Sequence, residues 1–139
     1  MTGNPELRYF VHSVIVRARS KISALLVALV YLDRTKLNLD PRSFGKGRVQ
    51  ERIFVAALTL ATKVRRGHAQ VTDPELTSSQ YVDDSSFRNR QWSCITRIFT
   101  AREVGSAELA LLHVLKWDLS ITEDEVLRSW TAVIQYTTG

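Results

Sequence analysis

The chain has 139 residues, of which 45% are hydrophobic and 24% charged, and this composition is typical of one soluble globular domain. A single cysteine, Cys94, excludes a disulfide within the chain, and the longest apolar run, 22–32, is shorter than the ~20 residues that cross a bilayer. The net charge of +5 favours acidic partners but indicates no particular fold. The N-terminus lacks the basic start and apolar core of a signal peptide, so we expect a protein of the nucleus and cytoplasm.

Helical periodicity runs through most of the chain, and no segment alternates as a strand does. The pattern predicts six helices, at 5–18, 20–36, 48–63, 87–98, 101–116 and 123–136. The third of them contains the segment IFVAALTLA (53–61), which is apolar nearly all the way round and must therefore be surrounded by other helices. We predict an all-α fold, a five-helix orthogonal bundle around a central third helix, with an additional C-terminal helix.

Capping residues mark several of the predicted helix starts. Thr100 with Glu103, and Thr122 with Glu125, have the spacing of a capping box, in which each side chain accepts a hydrogen bond from the other residue's backbone. Ser20 is a suitable N-cap for the second helix. The two capping boxes fix the starts of the fifth and sixth helices more sharply than helix propensity does.

Three charged residues interrupt otherwise apolar faces of the predicted helices. Asp33 continues the apolar face of the second helix, Lys63 ends the central helix, and Glu108 lies among leucines on the fifth. Each has an ordinary structural explanation: a lysine can complement the negative end of a helix, a buried aspartate can hold an arginine, and a glutamate can extend to the surface. Polar residues that break an apolar pattern also mark functional sites, so both explanations stay open.

Four segments resemble a cyclin box and follow one another in the order of that family: ALVYLDR (28–34), IFVAALTLATK (53–63), YVDDSSFRNRQW (81–92) and AELALLHVLKWDLSIT (107–122). The resemblance is greatest to the single-box fungal cyclins that activate the cyclin-dependent kinase of phosphate signalling and G1 progression. It covers residues 5–63 and 81–130. It implies a cyclin-box bundle, in agreement with the helical pattern.

The resemblance also implies a function. A cyclin binds a cyclin-dependent serine/threonine kinase as a heterodimer and activates it, without catalytic residues, cofactor, metal, small-molecule substrate or membrane of its own. In the family, the lysine that ends the third helix and the glutamate within the fifth hold the mobile helix of the kinase, which implies kinase-binding roles for Lys63 and Glu108. Leu60, Val104 and Leu111 are expected to form the apolar floor of that site.

A structural ion pair is a further implication of the resemblance. The aspartate of the YLDR motif, Asp33, pairs in the family with a buried arginine on the first helix. Arg8 is the best candidate for this partner, and Arg17 is an alternative.

Two other classes of function compete with a cyclin. Cyclin-type bundles also occur in general transcription factors, so a nucleic-acid-binding module is the alternative, although the basic groups at 17–21 and 88–90 are small. An enzyme is less well supported, because the three histidines share no metal-ligand spacing and the chain has no phosphate-binding glycine-rich loop. Cys94 and His113 can be imagined as a nucleophile and base, but a small buried cysteine is the simpler interpretation.

The segment 64–80 interrupts the resemblance. Joining Lys63 to Tyr81 gives LATKYVDDSSF, the uninterrupted family motif. The segment has seventeen codons, or 51 nucleotides, and its residues can be encoded with the donor, branch-point and acceptor sequences of a short fungal intron. We therefore expect either a retained intron that is translated in frame or a flexible, serine- and threonine-containing regulatory loop, inserted in a single domain that covers 1–139.

The intron interpretation makes a prediction about transcripts. Sequencing cDNA across the codons for Lys63 and Tyr81 should reveal transcripts that lack the 51 nucleotides, and the genomic DNA should carry a donor sequence at Val64 and an acceptor at Gln80. Transcripts that always contain the segment would show instead that it belongs to the working protein.

Overall fold

The computed structural model describes residues 5–36, 38–45, 47–69 and 89–138. These residues form six α-helices, one 3-10 helix (Pro41–Phe44) and no strand. The α-helices are α1 (Pro5–Ala18), α2 (Ile22–Thr35), α3 (Val49–Ala69), α4 (89–96), α5 (Ala101–Val114) and α6 (Glu123–Thr138). The predicted all-α class is confirmed, and the predicted helix boundaries within the described residues agree to about two residues, except at the end of α3.

Helix α3 is the centre of the bundle. Every residue from Val55 to Ala61 is at most 1% exposed, and α3 contacts α1, α2, α5 and the 3-10 helix. Its one polar residue in that stretch, Thr59, donates its hydroxyl to the Ala56 carbonyl at 2.9 Å and so leaves no unpaired group in the core. The segment that is apolar on all sides is therefore surrounded by other elements, as its pattern predicts.

The end of α3 differs from the sequence prediction. The helix continues for six residues beyond Lys63, to Ala69, whereas the sequence pattern predicted its end at residue 63. Val64 is partly buried and packs against the core, which gives the first added residue a tertiary contact. No proline follows Lys63 until Pro74, although the extension contains Gly67, which has low helix propensity. The rest of the predicted loop, 70–80, lies outside the described residues.

Both predicted capping boxes are present. The Thr100 hydroxyl accepts a hydrogen bond from the Glu103 backbone N–H, and the Thr100 N–H donates to the Glu103 carboxylate, each at 3.1 Å. Thr122 and Glu125 make the same reciprocal pair at 3.2 Å. The starts of α5 and α6 are thus set by local sequence.

The predicted cap of α2 is wrong. Lys21 is the N-cap residue, and no side chain caps the helix. Ser20 instead completes the end of α1, because its N–H donates to the Ile15 carbonyl at 3.2 Å while the Arg19 N–H donates to the Val16 carbonyl at 3.2 Å. This pair of bonds defines a Schellman motif, and Arg19 takes the left-handed conformation that the motif requires, with φ of 51°.

Two side chains of α2 hold α6 and the segment before it. The Arg34 guanidinium binds both carboxylate oxygens of Glu125, at 2.7 and 2.9 Å, and donates to two backbone carbonyls in the segment 118–120. Tyr31, which is fully buried, donates its hydroxyl to the Leu119 carbonyl at 2.9 Å. The two residues join α2 to the connection between α5 and α6 and to the first turn of α6.

The Arg34–Glu125 pair predicts a pH dependence of stability. Hydrogen bonds from Arg34 are the main cause that lowers the pKa of Glu125 from 4.5 to about 2. Because this pKa is lower in the folded chain than in the unfolded one, the carboxylate stabilises the fold fully above about pH 4.5, and the contribution is lost as the pH falls toward 2. Glu125→Gln keeps a capping acceptor but removes the charge, so it should lower the free energy of unfolding at pH 7 by about 1–2 kcal/mol.

This effect is measured by urea unfolding of the wild type and Glu125→Gln, from pH 7 down to the lowest pH at which both fold. The difference in the free energy of unfolding between the two proteins should shrink below pH 4.5. Glu123→Gln, in the same first turn but outside the Arg34 contact, is the control and should behave like the wild type. A difference that stays constant as the pH falls would contradict the role given to Arg34.

Candidate functional site

Lys63 and Glu108 meet inside the contact between α3 and α5. The Lys63 Nζ lies 2.9 and 2.7 Å from the two carboxylate oxygens of Glu108, and the side chains are only 5% and 4% exposed. Lys63 follows Leu60 by one turn on the buried face of α3, and Glu108 precedes Leu111 by one turn on the buried face of α5. Each helix therefore directs its charged residue toward the other.

A third helix reaches this ion pair. Asn89, at the described start of α4, is 5% exposed, and its Oδ1 lies 3.5 Å from the Lys63 Nζ. Gly105 of α5 makes room for it, because a Cβ at that position would lie 2.9 Å from the Asn89 Nδ2. The site thus joins α3, α4 and α5. The glycine at position 105 of α5 is required for this arrangement, because it leaves space for Asn89.

The burial of the pair gives it a strong effect on stability. A charge taken out of water is costly unless a partner and hydrogen bonds replace the lost hydration. Here both carboxylate oxygens of Glu108 accept hydrogen bonds from the same ammonium group. Removal of either residue alone would take from the other the opposite charge of this contact.

The predicted apolar floor is not a surface in this structure. Leu60, Val104 and Leu111 are 0%, 1% and 0% exposed and belong to the hydrophobic core. Because these side chains are fully buried in the free chain, they hold α3 against α5 there and form no exposed floor. Leu109, which follows Glu108 in the chain, is an exposed apolar side chain, at 48%. The sequence could have indicated that Leu109 is exposed, because this residue falls outside the helical repeat of the buried positions on α5.

The predicted buried ion pair of Asp33 and Arg8 is wrong. The side chain of Asp33 is 74% exposed and lies 3.3 Å from the Lys36 Nζ, and Arg8 is also exposed. The alternative partner, Arg17, binds a backbone carbonyl of α4 instead. The reason is helical geometry: Tyr31 points into the core, and a residue two positions later lies on nearly the opposite side of the helix.

A second ion pair between α3 and α5 was not predicted. The Arg52 Nη2 lies 2.8 Å from the Glu103 carboxylate, and the Arg52 guanidinium also lies 5.0 Å from the centre of the Phe99 ring. Hydrogen bonds from Thr100 and then from Arg52 lower the pKa of Glu103. Sequence reasoning assigned Glu103 to a cap, and nothing in the local pattern indicates its distant partner.

The described residues contain neither a cluster of metal-binding side chains nor a helix suited to span a membrane. No group of three or more histidine, cysteine, aspartate or glutamate side chains in that part of the chain is arranged to hold a metal ion. None of the described helices combines the length and the apolar character that a membrane crossing requires.

The described residues thus define an all-α domain built around a central third helix, with a lysine–glutamate pair between the third and fifth helices. The family model described as Cyclin, N-terminal domain, matches residues 4–120. This match covers most of the chain, so the protein belongs to the cyclin family, and the predicted resemblance is confirmed.

Three proteins of Saccharomyces cerevisiae are similar to the chain. PHO85 cyclin-9 is 28% identical over 126 residues, PHO85 cyclin-1 is 30% identical over 129, and PHO85 cyclin-2 is 26% identical over 124. The alignments cover 90%, 91% and 88% of this chain but 36%, 40% and 35% of the relatives, so the chain spans less than half of their length. No solved structure matches the chain significantly.

The buried pair predicts an unusual pattern of mutational effects on stability. Lys63→Ala and Glu108→Ala should each lower the free energy of unfolding by about 3–5 kcal/mol, because each breaks a buried ion pair by removing one of its two charges. The double variant Lys63→Met with Glu108→Leu removes both charges, keeps apolar volume and should be within about 1 kcal/mol of the wild type. Chemical unfolding of the wild type, the two single variants and the double variant measures these free energies.

A matched exposed pair provides the control for this experiment. Asp33→Ala, which breaks the pair of Asp33 with Lys36 at 74% exposure, should cost less than about 1 kcal/mol. Single variants at Lys63 and Glu108 that cost no more than Asp33→Ala would contradict the burial of the pair.

Proposed function

We propose that the protein is the regulatory subunit of a cyclin-dependent serine/threonine kinase of the PHO85 type, which it binds and activates. Two findings support the proposal: the chain belongs to the cyclin family, and three relatives bear the name PHO85 cyclin. The observation that carries it is the Lys63–Glu108 pair. These residues occupy the positions that hold the kinase in the family, and the fold brings them within 2.7 Å of each other.

The chemistry of the pair suits a helix of another protein. An ammonium group donates to backbone carbonyls, which are unpaired at a helix C-terminus, and a carboxylate accepts from N–H groups or from a basic side chain. Leu109 adds an exposed apolar contact next to Glu108. We propose no contact between the partner and the buried core residues Leu60, Val104 and Leu111.

Burial of the pair adds a conformational step to this proposal. Because both side chains are about 95% buried, a kinase helix reaches them only after the surrounding residues rearrange. The free energy of that rearrangement sets the fraction of molecules that are open. The apparent affinity for the kinase is the intrinsic affinity multiplied by that fraction. We expect the bound chain to exchange part of the Lys63–Glu108 contact for contacts with the kinase.

Activation follows from selective binding and requires no catalytic group in this chain. A free kinase can hold its catalytic lysine–glutamate pair apart, and the assembled arrangement is then a minor state. A subunit that binds only the assembled arrangement shifts the population toward it. The size of the activation is limited by the difference in affinity for the two states.

Co-purification with a PHO85-type kinase tests the proposal. The wild-type chain should retain the kinase and stimulate phosphorylation of a protein substrate. Lys63→Met with Glu108→Leu should fold normally, as judged by circular dichroism, but should bind the kinase at least about tenfold more weakly. The use of a double apolar variant separates lost recognition from lost folding.

The other α3–α5 ion pair supplies the matched control. Arg52→Met with Glu103→Gln removes two charges from the same pair of helices and keeps an acceptor for the capping box. It should bind the kinase as the wild type does. Equal binding by the wild type and both double variants would show that the Lys63–Glu108 pair does not contact the kinase.

A further inference from the structure

The basic residues of the chain are unevenly distributed. The stretches 7–32 and 85–102 contain eight of the nineteen lysines and arginines and none of the fourteen aspartates and glutamates. The remainder of the chain therefore has eleven basic and fourteen acidic residues. The positive net charge is a property of these two stretches alone.

The fold joins the two stretches. The Arg17 Nη1 donates to the Ile95 carbonyl at 3.2 Å, which fixes the end of α1 against the end of α4. Arg19 and Lys21 follow Arg17 by two and four residues, and Arg97 follows Ile95 by two. Basic residues that are separate in the sequence thus lie at the same junction of the fold, where the ends of α1 and α4 meet.

We define the α1–α4 basic surface as Arg19, Lys21 and Arg97. All three are exposed. None of the ion pairs formed within the described ranges involves them. Their charges therefore act on the solvent and on whatever binds there.

Exposed aliphatic side chains lie beside these cations in the chain. Val16 is 60% exposed, Ile22 is 64% exposed and follows Lys21, and Ile98 is 37% exposed and follows Arg97. Aliphatic groups cost free energy in contact with water, and a partner that covers them recovers it. The surface thus offers both anion-binding and apolar contacts.

We propose that the α1–α4 basic surface binds a phosphorylated, acidic segment of a partner protein. A guanidinium group binds phosphate oxygens through two parallel hydrogen bonds, and apolar side chains of the same segment can cover the exposed valine and isoleucines. A nucleic acid fits less well, because the binding of single strands relies on aromatic side chains for base stacking, and the three residues that define this surface are two arginines and a lysine.

This surface is separate from the proposed kinase site. Asn89 at the described start of α4 contacts Lys63, whereas Arg97 follows the end of α4. The eight residues of α4, 89–96, rise roughly 12 Å at 1.5 Å per residue. Binding to the basic surface can therefore be tested on the free chain, without the kinase and independently of the proposed function.

The backbone provides a variant that removes charge without harming the fold. Arg19 and Arg97 have φ of 51° and 64°, a conformation that glycine adopts more readily than arginine. Arg19→Gly with Arg97→Gly therefore deletes both cations and relaxes both helix ends. Arg48 and Lys116, at φ of 50° and 55°, are exposed cations at other junctions, so Arg48→Gly with Lys116→Gly is a matched control.

Fluorescence anisotropy with a defined probe tests the proposal. The probe is a fluorescein-labelled peptide of glutamate, leucine and phosphoserine, compared with its unphosphorylated form, a single-stranded oligothymidylate and vesicles of phosphatidylserine and phosphatidylcholine. We expect the phosphopeptide to bind most tightly. Arg19→Gly with Arg97→Gly should weaken it at least about tenfold, and the matched control should stay within about twofold.

A second variant and the other ligands complete the test. Lys21→Gln, which leaves both helix ends unchanged, should weaken the phosphopeptide several-fold, and thermal unfolding should show all variants to be as stable as the wild type. The proposal is overturned by equal losses in the two glycine variants, by equal binding of the unphosphorylated peptide, by tighter binding of DNA or vesicles, or by no binding of the phosphopeptide.

Discussion

The burial of one charged residue at the end of the central helix constrains the rest of the structure. Helix α3 is surrounded by other elements, so the ammonium group of Lys63 has little access to water and needs an anion nearby. Glu108 supplies it from α5, and its position fixes how α5 is rotated against α3. Asn89 and the glycine at 105 then let α4 approach the same point. One electrostatic requirement thus orients three helices and creates the site proposed for the kinase.

The YLDR motif has a different role from the one that its aspartate suggested. Tyr31 and Arg34, one turn apart on α2, bind three successive backbone carbonyls between α5 and α6, and Arg34 also binds Glu125. These contacts hold the connection between α5 and α6, which lies far from α2 in the sequence. Side chains of one helix thus join distant segments of the chain, so the motif helps to determine how the helices are arranged. Arg52 and its partner on α5 do the same for the start of α3.

Local chemistry was predictable from the sequence, whereas the choice among distant partners was not. The all-α class, the buried central helix and the capping boxes at Thr100 and Thr122 follow from periodicity and spacing over a few residues, and all are present. The family resemblance singled out Lys63 and Glu108 as kinase-binding residues, but it did not predict their ion pair with each other. Asp33 and Ser20 were misassigned because a residue's role depends on helix rotation and on how the preceding helix ends, and neither is encoded in a short window. The basic surface was missed for the same reason, since its halves lie far apart in the chain.

The central claim is that a kinase binds where Lys63 and Glu108 meet. A crystal or cryo-EM structure of the complex with a PHO85-type kinase measures this most directly. The account predicts a kinase helix within hydrogen-bond distance of both side chains, with the 2.7 and 2.9 Å contacts between them partly replaced. A kinase seated on another face, with those two contacts unchanged and the pair still buried, would contradict it.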